Sequence, residues 1–282
     1  MRLDLLIGLI VEALLILIAA KLARDAFLKL RGYHVNQMVV EKRSLGAATS
    51  QSGYLIGVLL GFLGAVSGGG PDPSFVGVAI SVALAGLVAI VLQLAADFVS
   101  DQLIFRGMRA DKNTVEDVNA TLALGKAAVS IATGLVLRGA LSDPDSTLVA
   151  RVIWFAGAQA VMVLAVLLYC RLTPYDDLAE IRRNNLAAGF PIAGILIAVG
   201  MIMEAAVAGK HADNVAAAAL GAGKFLGISL VLVYVLRLTT SFILLPKVNL
   251  SKAIVDDKNV GAGLQEGIAF VLASLVVTYF LA

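Results

Sequence analysis

Cysteine occurs once in this chain, at Cys170, histidine twice and tryptophan once among 282 residues. A single cysteine excludes an intrachain disulfide, and two histidines far apart in sequence leave no metal-ligand spacing. No metal or cofactor is expected, and with no nucleophile motif or histidine cluster the chain is not expected to be an enzyme. Charge is also scarce, at 15% of residues, and balanced, with 22 lysines and arginines against 20 aspartates and glutamates. That balance offers no basic surface to nucleic acid.

What the chain has instead is apolar length. Hydrophobic residues make up 60% of it and mean hydropathy is +0.92, well above an average soluble domain. The apolar residues come in runs of about twenty, which as helices would cross ~30 Å of hydrocarbon. The ten-residue alternating segments of a membrane β-barrel are missing. The sequence therefore predicts an all-α integral membrane protein in a lipid bilayer. Eight spans are expected, at residues 3 to 22, 45 to 67, 75 to 99, 118 to 140, 148 to 171, 185 to 208, 214 to 241 and 259 to 281. Asp4 and Glu12 interrupt the first run, where a cleaved signal peptide would be uncharged, so this run is expected to be retained as a span.

Basic residues follow the odd spans. Arg24, Lys29, Arg31, Lys42 and Arg43 follow the first, Arg106, Arg109 and Lys112 the third, Arg182 and Arg183 the fifth, and Lys247, Lys252 and Lys258 the seventh. The opposite turns, "SGGGPDPS", "LSDPDS" and "GKHADN", hold one lysine. The positive-inside rule then places these four loops in the cytoplasm and both termini outside. The segment from Lys21 to Arg43 mixes its charges with Phe27, Leu28, Leu30 and Tyr33. It suits either an amphipathic helix on anionic lipid or ordinary positive-inside charge.

The even spans begin alike: "NATLALGK" at Asn119, "NNLAAGF" with Asn185 in register, "NVGAGLQEG" at Asn259 and, more loosely, "SLGAATSQSG" at Ser44. Asparagine or serine there caps a helix by accepting from its first free amides, and the small residues behind it let helices approach closely. The odd spans also rhyme, "YCRLTPY" around Arg171 with "VLRLTTSF" around Arg237. The unit is a helical hairpin used four times or a four-helix repeat used twice, with a seam near residues 141 to 147. Domains of 1–142 and 143–282 follow, and an even number of spans per half makes the two repeats parallel.

This pattern resembles the YjfL family of bacterial inner-membrane proteins, domain of unknown function 350, in two tandem copies. The likeness is clearest from Asn185 to Gly194, holds at Asn119 and departs at Ser44. It implies a bacterial cytoplasmic membrane. Because genes of the family commonly lie beside phage-shock-like and spermidine-synthase-like proteins, it also implies a link to envelope stress or polyamines. It carries no activity.

Charges inside a span cost ~2.5–3.5 kcal/mol each on insertion scales and call for a partner or a wet path. Glu12, Lys126, Lys224 and Glu266 are the deepest. Lys126 and Glu266 each lie seven residues after their asparagine, about 10 Å down the helix, and Glu12 lies about 13 Å from Lys21 by the same rise. These residues form a candidate intramembrane polar site or, alternatively, ion pairs that dock the halves. Gln93 with Asp97, and Lys126 with Ser130 and Thr133, form polar stripes that suit a hydrated path or mere backbone bonding. Arg138 and Glu204 lie nineteen residues after Asn119 and Asn185 and suit an ion pair at the outer rim. Gly53, Gly57 and Gly61, Gly223 with Gly227, and Gly263 with Gly267 are expected to be packing faces, which would also suit a homo-oligomer. Pro191 is expected to free a carbonyl within its helix.

These residues point to a channel or transporter for a small cation, proton or polyamine. The alternative is a non-transporting scaffold whose cytoplasmic loops recruit a partner protein in envelope stress.

Overall fold

The structure is a computed structural model that describes residues 3–68, 75–106, 108, 119–143, 146–208 and 215–281. The turns at 69–74 and 209–214, together with Arg109 and Lys112, lie outside the described residues. All regular structure among the described residues is helical. The long helices are α1 (Leu3–Leu30), α3 (Leu45–Ser67), α4 (Phe75–Leu103), α5 (Ala120–Leu141), α6 (Leu148–Leu172), α8 (Leu186–Val207), α9 (Val215–Leu244) and α11 (Val260–Leu281). The short ones, ahead of α3, α8 and α11, are α2 (Val35–Val40), α7 (Asp177–Arg182) and α10 (Leu250–Val255).

Each long helix grows from one of the apolar runs. Among the described residues, six are long and apolar enough to cross a membrane: α3, Ala79–Leu103 of α4, α5, α6, α8 and Val260–Phe280 of α11. The segment from Lys21 to Arg43 is not a single surface helix, because α1 runs on to Leu30 and α2 follows a left-handed turn at Gly32.

The repeated start motif works as expected. Ser44, Asn119, Asn185 and Asn259 accept from the backbone amides of Ala47, Leu122, Ala187 and Ala262 respectively. Arg43, Asn184 and Lys258, each just ahead of a cap, have left-handed backbones with φ of 53°, 55° and 46°. The asparagines do more than cap. Asn119 Nδ2 donates to the Ile181 carbonyl in α7 at 2.8 Å, and Asn185 Nδ2 donates to the Ile254 carbonyl in α10 at 2.9 Å. Each ties its own helix to the short helix that leads the next one.

Those ties follow a row, α3, α5, α8, α11, that forms the centre of the molecule, with α1, α4, α6 and α9 outside it. The row uses one crossing three times. Counting from each cap, position nine of one helix meets position eight of the next. A Cβ on Gly53 would lie 2.4 Å from the Ala127 Cα, and one on Gly194 would lie 2.3 Å from the Gly267 carbonyl oxygen. Positions thirteen and fifteen meet at Gly57 with Gly134 and at Ala132 with Gly200. Positions twenty and nineteen meet at Gly64 with Arg138 and at Gly139 with Glu204. Contact at matched depth means that the four helices run parallel, with their caps at one end. No side chain fits on the glycine side of these crossings, so backbone packs against backbone there.

Pro191 sits inside α8 and removes a donor from the Ala187 carbonyl. That oxygen faces the bare Cα of Gly263, where a Cβ would come within 2.0 Å of it. One expected packing face is corrected. Gly223 and Gly227, on α9, have nothing within 4 Å of where a Cβ would be. Helix α9 lies outside the row, so its glycines meet open space among the described residues.

Candidate functional site: a buried charge cluster in the first repeat

Burying a charge beside lipid requires a counter-charge and hydrogen bonds for the remaining polar atoms. The first repeat supplies both. Lys126 on α5 is 6% exposed and donates to Asp101 on α4 at 2.9 Å. One turn away along each helix, Ser130 Oγ donates to Asp97 at 2.8 Å. Arg24, near the end of α1, donates through Nη1 to Asp97 at 3.3 Å and through Nη2 to Ser50 on α3 at 2.6 Å. Its guanidinium carbon lies 4.6 Å from the centre of the Tyr54 ring, close enough for a cation–π contact. Gln93 Nε2 donates to the Ser130 carbonyl at 3.0 Å. Among the described residues, four helices are thereby joined by two cations and two carboxylates.

The spacing explains why the parts meet. Gln93, Asp97 and Asp101 recur every four residues on α4, and Lys126 and Ser130 do the same on α5, so each set forms one ladder along a helix face. Gly57 clears the space between them, since a Cβ there would lie 2.2 Å from the Ser130 carbonyl and 3.1 Å from Gln93 Nε2. The gap bounded by Arg24, Asp97, Asp101 and Lys126 has a volume of only about 10 Å³.

The structure thus unites Gln93, Asp97, Lys126 and Ser130 of the residues singled out in the sequence. Thr133 is fully buried one turn further on, and its hydroxyl has no hydrogen-bond partner among the described residues. Glu266 lies buried on α11 in the second repeat, 3% exposed. Glu12 is half-buried on α1 and Lys224 exposed on α9, and neither joins the cluster. Arg138 donates through Nε to Glu204, so the expected rim pair forms and links α5 to α8 across the repeats. Sequence reasoning missed Asp101, Arg24 and Ser50. Carrying the stripe one more turn beyond Asp97 would have found Asp101. Arg24 was hidden because its segment reads as a loop.

Parallel helices joined through glycines, with paired charges buried among them, define the class: an all-helical membrane protein built from a tandem repeat. The chain belongs to the family described as Domain of Unknown Function (DUF350), whose model matches residues 2–141 and 145–281. No curated protein and no solved structure matches the chain.

Proposed function

We propose that the protein is an eight-span scaffold of the bacterial inner membrane, non-enzymatic and non-transporting. On this reading α1 and α9 are the two further spans, both termini lie outside, and the cytoplasmic ends with α2, α7 and α10 recruit a partner protein. The observation that carries it is the closure of the charge cluster. Arg24 and Lys126 are each paired with a carboxylate, and a gap of about 10 Å³ leaves no room for a hydrated cation or a polyamine.

One observation favours a second reading, a proton or small-cation path. The ladder of Gln93, Asp97 and Asp101 against Lys126 and Ser130 is the kind of chain along which a proton relay runs. Flux of protons, potassium and spermidine into liposomes separates the two. The scaffold reading expects flux no greater than in protein-free vesicles. Flux above that of protein-free vesicles would overturn it, and loss of that flux in Asp101→Asn purified as folded protein would establish the path.

A further inference from the structure

A different feature lies at the seam between the repeats, at the end of the bundle where the caps stand. A pocket of about 360 Å³ opens there among the end of α4, the last turns of α6, and α7. Its walls carry Arg106, Arg171 and Arg182 with the carboxylate of Asp176, all exposed, and its base is apolar, with Val166 and Leu167. Arg182 Nη2 donates to the Arg106 carbonyl at 3.3 Å, which holds the two sides of the seam together. Asp177 also lines the pocket and is only 1% exposed. The Thr173 hydroxyl donates to its Oδ2, and its Oδ1 has no hydrogen-bond donor among the described residues. Burial pushes the Asp177 carboxyl up to about 7, with the Thr173 hydrogen bond acting against it and Asp176 adding to it.

Guanidiniums at a rim are suited to a phosphate, which they bind with charge-assisted and often paired hydrogen bonds. A buried carboxylate oxygen lacking a donor needs an ammonium or a hydroxyl. The pocket adjoins the end of α6, a helix long and apolar enough to cross a membrane; with α6 spanning, that end stands at the depth of the phospholipid headgroups. From this we propose that the seam pocket binds a phosphate ester bearing a primary amine, the headgroup of a phosphatidylethanolamine, with the phosphate on Arg171 and Arg106 and the ammonium on Asp177. This site is separate from the charge cluster and does not depend on the scaffold reading.

The test uses the full chain in delipidated detergent, with lipid binding followed by native mass spectrometry. Phosphatidylethanolamine is expected to bind at least about tenfold more tightly than phosphatidylglycerol, because only the former supplies an ammonium to Asp177. Asp177→Asn should abolish that preference, and Arg171→Gln, an exposed substitution that leaves the fold intact, should weaken both lipids. Soluble phosphoethanolamine provides the second arm. If it binds the lipid-free protein at low millimolar concentration and Asp177→Asn weakens it, the ligand is a free aminophosphate. If it fails to bind while the lipid binds selectively, the source is the membrane. Equal binding of both lipids, selectivity that survives in Asp177→Asn, or no binding of any of the three would overturn the proposal.

Discussion

At the scale of single residues, the buried charges are held by pairing. Lys126→Met removes the cation that Asp101 meets at 2.9 Å, and removing one partner of a buried ion pair costs about 3–5 kcal/mol. Lys126→Met with Asp101→Leu should recover most of that loss, since apolar replacement of both partners is close to neutral. Thermal unfolding in detergent measures both. A double variant as unstable as the single one would show that the pair is not what matters at this site. How readable these residues were depended on their helix. Gln93, Asp97, Lys126 and Ser130 stood out because a polar residue every fourth position is conspicuous in an apolar run. Arg24 did not, because an arginine shortly after an apolar run looks the same whether it meets lipid headgroups or turns inward.

At the scale of elements, the start motif has two parts that sequence cannot separate. One caps the helix, and serine does this as well as asparagine, as Ser44 illustrates on α3. The other needs the amide donor. Asn185 Nδ2 reaches both the Ile254 carbonyl and Glu180 Oε2, at 2.9 and 2.7 Å, and Asn185 is 3% exposed. Asn185→Ser should therefore lower stability by about 1–3 kcal/mol, the cost of leaving buried acceptors unmet. Asn259 is exposed and among the described residues only caps α11, so Asn259→Ser should cost a few tenths of a kcal/mol at most. Chemical denaturation of the two variants side by side checks this, and equal losses would reject the distinction.

At the scale of the whole molecule, the repeated crossing determines which glycines count. Gly194→Val forces α8 away from α11 and should cost about 1–3 kcal/mol, as overpacking does. Gly223→Val, on the open side of α9, should shift stability by no more than about 0.5 kcal/mol. Unfolding midpoints of the two variants decide it, and a large loss at Gly223 would place a partner on that face. The row also ends for a stated reason. Positions nine and thirteen of α11 are Ile268 and Leu272, and positions fifteen and nineteen of α3 are Leu59 and Leu63. These side chains stand where the internal crossings carry glycine, alanine or backbone contact, so the close approach stops after four helices.

The sequence by itself determined that the chain is helical and apolar enough to cross a membrane, that it is written twice, and where its helices start. Those properties depend on local composition, run length and capping chemistry, all of which act within one segment. The tertiary structure alone decided that the four capped helices stand in one parallel row, that α1 brings Arg24 to Asp97, and that Gly223 and Gly227 face nothing among the described residues. These depend on which helix lies beside which. In a chain whose helices are apolar on nearly every side, a hydrophobic pattern cannot specify a neighbour, and glycine contacts and a few polar side chains make the choice.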